Sequence, residues 1–386
     1  MLAEVQRDLL NYAGTGMSVM ELSHRSKEFE AIMKEVEEDA RRILSVPPEY
    51  KIILMQGGGT TQFSAVPLNL CSSADQVGQY LVTGAWSAAA QAEAAKFCVA
   101  NSMAVLPKEQ QYTALPSMDQ VKQQLSEANS ARYVYACANE TVHGVEWGEE
   151  LEQLFTPMPT AAAAAAGAAP TCPVLVSDMS SSFMSRPIDV SRYGLIYAGA
   201  QKNIGPAGVT VVIVHESLLK RKAQATTPLM LNYAQMSSKD SMHNTPPTFS
   251  IYVVGRVFKW ILGEAGGLRA LGERNARKAA MLYEAIDGSA GFYRAFVSKQ
   301  SNARSRMNVV FSVNKPSSQL GQPDGRDDAL NARFVAESEA AGFVGLAGHR
   351  SVGGLRASLY NAVSIEAVQA LVAFMEEFKN RVNREK

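Results

Sequence analysis

The chain holds four cysteines in 386 residues, Cys71, Cys98, Cys137 and Cys172, widely spaced and without a Cys-x-x-Cys unit. Such usage argues against a zinc site and against a disulfide framework, so no metal is expected and a reducing compartment fits. Neither sign of charge is in surplus, with Lys plus Arg and Asp plus Glu at 37 each. No overall field therefore draws in nucleic acid or an anionic membrane, and any cationic site has to be local. No apolar run approaches the ~20 residues of a membrane helix. Charges begin at Glu4 and Arg7 with no apolar stretch behind a basic start, so no signal peptide is expected and the reading is a soluble, cytoplasmic protein. Two hydrolase signatures are missing as well: His215-Glu216 has no second histidine four positions later, and Gly16-Met17-Ser18-Val19-Met20 lacks the second glycine of a serine-hydrolase elbow. No internal repeat is visible.

What is present is a large apolar fraction, 47%, in a chain longer than a single core usually spans, so two domains are expected. Short apolar runs at 51–55, 79–82, 131–136, 173–176, 194–197 and 209–214 alternate with helical patterns, which is the signature of an α/β domain around a mostly parallel sheet. From Phe249 to Asp287 the period becomes helical, with Ile251, Val254, Phe258 and Ile261 on one stripe and a break at Gly263 to Gly267. Beyond this connector, strands at 307–313 and 355–360 and an amphipathic helix from Ile365, N-capped by Ser364, predict a smaller α+β unit. The expected division is 1–262 and 263–386. The segment Pro157 to Pro170, mostly alanine, is compositionally foreign and is expected to loop out on the surface.

The candidate chemistry collects at strand ends. Lys202 sits in Tyr197-Ala198-Gly199-Ala200-Gln201-Lys202-Asn203-Ile204-Gly205-Pro206, a small-residue turn between apolar runs, and Asp178 closes the run Pro173 to Val176. Either residue alone could be surface decoration or a cap. Together at one crevice they suit pyridoxal phosphate, the lysine forming a Schiff base with the aldehyde and the carboxylate keeping the pyridine nitrogen protonated. Gln56-Gly57-Gly58-Gly59-Thr60-Thr61 runs from a strand into a helical stretch, so backbone amides could cradle a phosphate, although a tight turn would look the same. Gly84-Ala85-Trp86-Ser87 places a tryptophan in a loop between small residues, where it could stack on a flat ring or belong to the core. Thr141, in Asn139-Glu140-Thr141, could bond the cofactor's phenolic oxygen. Two His-Arg pairs, His24-Arg25 and His349-Arg350, with Arg356 beyond, suit a substrate carrying carboxylate and phosphate, unless each is a solvated loop or a structural ion pair.

Gly14 to Ser26, Gln56 to Pro67, Gly84 to Ser87, Asn139 to Thr141, Ser177 to Ser181, Tyr197 to Pro206, His243 to Pro247 and Gly348 to Asn361, in that order and over nearly the whole chain, resemble the phosphoserine aminotransferase family. The resemblance implies a fold-type-I pyridoxal phosphate-dependent transferase, with a large domain around a mostly parallel sheet and a smaller C-terminal α+β domain. It implies that Lys202 carries the cofactor, Asp178 meets the pyridine nitrogen, Trp86 covers the ring and Thr141 meets the phenolic oxygen. Gly59, Thr60 and Gln201 would contact the phosphate, joined by Asn244 and Thr245 from a second subunit of a homodimer, and Ser180 would also bind the cofactor. Arg356 would take the α-carboxylate, and His24, Arg25, His349 and Arg350 the distal phosphate or the γ-carboxylate. The implied reaction is ping-pong transfer of an amino group from glutamate to 3-phosphohydroxypyruvate, giving phosphoserine and 2-oxoglutarate.

Two departures from the family pattern stand out. The family opens with a Phe-x-x-Gly-Pro-Ala segment, whereas this chain starts at Met1-Leu2-Ala3-Glu4 inside the first helix, so a strip near the site and dimer interface is expected to be missing, together with any organellar targeting peptide. The alanine-rich insertion is the second. Rival readings are a related lyase or desulfurase, for which Cys137 near Thr141 is the candidate acid, and a non-catalytic descendant that only binds the cofactor.

Overall fold

A computed structural model describes residues 1–107, 112–128, 130–171, 173–314 and 325–385; Cys172 lies outside them. The strands are β1 (Tyr50–Met55), β2 (Val77–Leu81), β3 (Val99–Met103), β4 (Ala131–Cys137), β5 (Asn139–Glu140), β6 (Val145–Glu146), β7 (Val174–Asp178), β8 (Tyr193–Gly199), β9 (Thr210–His215), β10 (Tyr293–Ala295), β11 (Asn308–Val313) and β12 (Leu355–Ser358). Seven of them form the main sheet in the order β1-β9-β8-β7-β4-β2-β3. Neighbours are parallel from β8 through to β3, while β9 runs antiparallel to both β8 and β1. It follows that β1 and β8 point the same way, and every strand of this sheet except β9 ends on one edge. This is the mostly parallel α/β sheet expected from the alternating pattern.

Burial explains why these segments pair. β7, β8 and β9 are buried along their whole length, as expected for strands covered by helices on both faces. β3 is different: it is an edge strand with Met103 as its one buried residue, and its weakly apolar Val-Ala-Asn-Ser-Met has no alternation to announce it. The helix Lys27–Leu44 starts at Ser26, whose hydroxyl accepts from the Phe29 amide at 3.2 Å, and it buries Phe29, Ile32, Val36 and Ala40 against the helix Thr248–Leu262. The stripe read from sequence on that second helix, Ile251, Val254, Phe258 and Ile261, is fully buried.

The expected break at Gly263 to Gly267 falls between this helix and the next, Gly267–Asp287. Leu268 and Leu271 belong to the core under the main sheet, whereas Ala279, Leu282 and Ile286 belong to a second core with Phe311, Phe334, Leu355 and Phe378. That second core lies between the antiparallel sheet β10-β11-β12 and the helices Gly267–Asp287, Asp328–Ala340 and Ile365–Arg384. Ser364 caps the last of these as expected, accepting from the Ala367 amide at 3.1 Å. The alanine-rich stretch forms one exposed helical turn, Ala161–Ala165, capped by Thr160. It is tied down where the Ala161 amide donates to Glu49 Oε1 at 2.8 Å and His215 Nε2 donates to the Pro159 carbonyl at 3.0 Å.

The two cores are stitched together by polar groups. Lys278, with no exposed surface, donates to the carbonyls of Leu359, Tyr360 and Val363 at 2.9, 3.0 and 2.9 Å. Asn361, within the same segment, donates from its amide to Asn203 Oδ1 at 3.0 Å and from Nδ2 to the Met184 carbonyl at 2.9 Å. Burial lowers the Lys278 pKa to about 8, and no carboxylate pairs with it among the described residues. Replacing it by methionine fills the volume and strands three carbonyls. Lys278→Met is expected to cost about 3 kcal/mol, read as a lower urea midpoint at unchanged slope; an unaltered midpoint would contradict this.

Candidate active site

Because β1, β2, β4, β7 and β8 end together, the segments that follow them meet in one pocket. Its lining is Gly59, Thr60, Phe63, Trp86, Cys137, Asn139, Thr141, Asp178, Ser180, Ser181, Gln201 and Lys202, around about 440 Å³ of space that includes its mouth. This is the crevice at the carboxyl ends of the strands that an open α/β sheet offers to a ligand.

Lys202 lies in the turn between β8 and β9. Its Nζ donates to Thr141 Oγ1 at 2.7 Å and lies 5.8 Å from the centre of the Trp86 ring. Burial lowers its pKa; Asp178 opposes that shift and Arg356 reinforces it. The ammonium form is thus disfavoured by desolvation, and a neutral amine becomes accessible at lower pH than for a surface lysine.

Asp178 closes β7, and both its carboxylate oxygens are engaged. Oδ1 accepts from the Ser180 amide at 2.8 Å and Oδ2 from the Tyr197 hydroxyl at 3.1 Å, while Tyr197 shares a 2.7 Å contact with the Tyr135 hydroxyl. A carboxylate held in this way stays fixed in direction and remains an acceptor toward the pocket.

The glycine-rich turn ends in the helix Gly58–Leu70, with Gly57 as its N-cap at φ +95° and Gly58 at φ +70°. A side chain on Gly59 would lie 2.9 Å from Ser180 Oγ, so the backbone there approaches β7 as closely as it can. Ser180 Oγ also accepts from the Gly199 amide at 3.0 Å. Free amides at a helix N-terminus, two hydroxyls and Gln201 make an anion cradle, on the same pocket wall as Asp178. Lysine, opposing carboxylate, exposed indole face and anion cradle fit a phosphorylated pyridine aldehyde.

Trp86 is not in a loop, as its small neighbours suggested. It is the second residue of the helix Ala85–Ala94, and that helix begins at Gly84, which has no side chain to cap it. The cap comes from Glu140, a residue remote in sequence, whose carboxylate accepts from the Trp86 and Ser87 amides at 2.9 and 2.8 Å.

Gly59, Thr60, Trp86, Thr141, Asp178, Ser180, Gln201 and Lys202 come together as expected; the rest of the predicted set does not line this pocket. Arg356, on β12, is half-buried, its Nε has no hydrogen-bond partner among the described residues, and it acts electrostatically on Lys202. His349 and Arg350 occupy a surface loop where His349 Nδ1 meets Ser351 Oγ at 2.7 Å. Asn244 and Thr245 are exposed within their own chain. Gln56 Nε2 donates to Asn244 Oδ1 and to the Thr245 carbonyl at 3.3 Å each, and Thr245 Oγ1 lies 3.3 Å from His24 Nδ1. Arg25 beside them is exposed.

Asn139 is the lining residue with the most partners that sequence reasoning left unassigned. Its Nδ2 donates to Ser181 Oγ at 2.7 Å and to Asn308 Oδ1 at 2.8 Å, and its Oδ1 accepts from Ser305 Oγ at 2.6 Å. It joins the pocket floor to β11, a pairing across 169 positions that nothing local signals.

Residues 1–371 match the family model for Aminotransferase class-V. The chain is 45% identical over 382 residues to phosphoserine aminotransferase 2, chloroplastic, of Arabidopsis thaliana, covering 99% of this chain and 82% of that one. It is 46% identical over 382 residues to the phosphoserine aminotransferase of Geobacillus kaustophilus (strain HTA426), covering 99% and 95%. Among solved structures, PLP-bound phosphoserine aminotransferase from Trichomonas vaginalis superposes with a TM-score of 0.82 at 36% identity, covering 97% of this chain and 95% of that one. Pocket, sheet and sequence agree, and the chain belongs to the class-V aminotransferases and, within them, to the phosphoserine aminotransferase family.

Proposed function

We propose that this chain is a phosphoserine aminotransferase that uses pyridoxal phosphate to move the amino group of glutamate to 3-phosphohydroxypyruvate, yielding phosphoserine and 2-oxoglutarate. The observation that carries the reading is Lys202, half-buried and bonded to Thr141 in a pocket that also holds Asp178 and Trp86. When bound, pyridoxal phosphate supplies an electron-accepting ring and a carbonyl carbon on which nitrogen is exchanged. Asp178, aimed by Ser180 and Tyr197, would hold a proton at the pyridine nitrogen. Trp86 would cover one ring face, Thr141 would meet the phenolic oxygen, and Gly59, Thr60, Ser180 and Gln201 would hold the group around its phosphate. Lys202, whose amine burial makes easier to deprotonate while Asp178 opposes the shift, would act as the base that accepts the substrate Cα proton.

Substrate recognition falls to the cations. No carboxylate pairs with Arg356 among the described residues, which leaves its guanidinium for the α-carboxylate. His349 and Arg350 are assigned to the distal phosphate or γ-carboxylate, which one cationic pocket serves in turn. His143 supports this placement: its Nδ1 accepts from the Ala85 amide at 3.4 Å, and the proximity of His349 adds to burial in depressing its pKa to about 4. The His349 loop thus faces the start of the Trp86 helix.

His24, Arg25, Asn244 and Thr245, outside their own chain's pocket, are assigned to the partner's pocket in a homodimer. Exposed Leu10, Met17 and Met20, 81%, 44% and 59% accessible, give the N-terminal segment an apolar face suited to a second copy. The two cores support a division into residues 1–262 and 263–386, with Leu268 and Leu271 anchoring the connecting helix. No helix among the described residues is long and apolar enough to cross a membrane, and the balanced charge offers nucleic acid no overall attraction. Cys137 disfavours the desulfurase reading: burial pushes its thiol well up, and its Sγ donates to the Asn139 carbonyl at 3.4 Å.

Lys202→Ala is expected to lower turnover by at least about 10³-fold and to remove the visible absorbance of the bound cofactor. Arg356→Ala keeps that absorbance and raises the glutamate KM about 10- to 100-fold. An active Lys202→Ala protein would contradict the first, and an unchanged KM the second. For His143 the folded pKa of about 4 lies below the ordinary histidine value of 6.5, so the unfolded chain binds the extra proton and stability is lost as pH falls through that window. Denaturant midpoints at pH 7 and pH 5 should differ less in His143→Gln than in the parent; equal differences would contradict the assignment.

A further inference from the structure

Glu140 has no exposed surface, and among the described residues no cation pairs with it. Its carboxylate is instead spent on one helix end: Oε2 accepts from the Trp86 amide at 2.9 Å, and Oε1 from the Ser87 amide at 2.8 Å and the Ser87 hydroxyl at 2.5 Å. Short contacts of this kind are those of an ionised acceptor, and an anion at a helix N-terminus is favourably placed. An ordinary N-cap would satisfy the same amides more cheaply from position 84. That route is closed, because a Cβ on Gly84 would lie 2.3 Å from Glu140 Cδ. The cap has been transferred to a different element, at the cost of burying a charge.

That element is β5, and Glu140's chain neighbours show what the arrangement achieves. Asn139 and Thr141 line the pocket, and Thr141 accepts from Lys202. The side chain between them grips the backbone of Trp86, which lines the same pocket from the end of the neighbouring parallel strand β2. We propose that Glu140 is a positioning residue that fixes the Trp86 indole in register with Thr141 and Lys202, setting the spacing of the two walls between which the cofactor ring sits. The inference rests on the assignment of Trp86 to the ring face. Glu140 also favours the charged form of Lys202, while burial raises its own pKa.

Glu140→Gln keeps the shape and replaces one acceptor oxygen by an amide NH₂ that must face a backbone N–H. The test is a double-mutant cycle with Trp86→Ala, read as cofactor affinity in fluorescence titrations of the apoprotein and as the induced circular dichroism of each holoenzyme. Glu140→Gln should weaken cofactor binding about 10-fold and reduce the dichroism when Trp86 is present, and change affinity less than about 2-fold when it is absent. Should the glutamine variant fail to fold, Glu140→Asp, which keeps the charge but withdraws it by one methylene, is expected to show the same dependence on Trp86. An equal penalty with and without the indole, or none in either, overturns the proposal. Unchanged affinity in Trp86→Ala alone overturns the ring-face assignment beneath it.

Discussion

A lysine amine removed from water, with a hydroxyl at 2.7 Å and a carboxylate in the same pocket, is the constraint around which this molecule is organised. Desolvation alone would drive such an amine neutral, and a nearby carboxylate alone would hold it charged. With both acting, burial lowers the pKa of the amine and Asp178 restrains that shift, the condition that the proposed role of base asks for. That balance requires Lys202 and Asp178 to reach one point from different strands, which the shared direction of β7 and β8 provides. The single reversed strand, β9, lets the chain return after Lys202 without crossing the pocket.

Much of this was legible in the sequence because each wall is local. Asp178 ends an apolar run, Lys202 follows one, and the Gly57 to Gly59 turn joins a strand to a helix; each is a strand end with polar or small residues after it. The structure places Asp178, Lys202 and, from the turn, Gly59 on the pocket. Less legible were features whose cause lies far along the chain. Trp86 read as a loop residue because its helix starts at a bare glycine, and its cap, Glu140, is 54 positions away. β3 escaped notice because an edge strand needs little apolar character. Asn139 sat inside a recognised motif, yet its bond to Asn308 depends on how the two cores dock.

The docking is itself polar, which bears on how the parts move together. Asn361 bonds the side chain of Asn203, adjacent to Lys202, while Lys278 gathers the carbonyls of 359, 360 and 363. The segment bearing Arg356 is thereby referenced to the turn bearing Lys202. The Arg356 guanidinium and the Lys202 amine, proposed here to bind substrate and to carry the cofactor, are held in register through directional hydrogen bonds, whose geometry tolerates less slippage than apolar packing. Cations at 24, 25, 349 and 350 lie on exposed or half-exposed surface segments instead, as suits groups assigned to exchangeable anions.

The central claim is that the cofactor is carried covalently by one amine. Reduction of the purified holoenzyme with borohydride, followed by peptide mapping, tests it most directly. The account predicts a single pyridoxyl-modified residue at Lys202. Modification at another lysine, or none in protein that retains the cofactor, would contradict it.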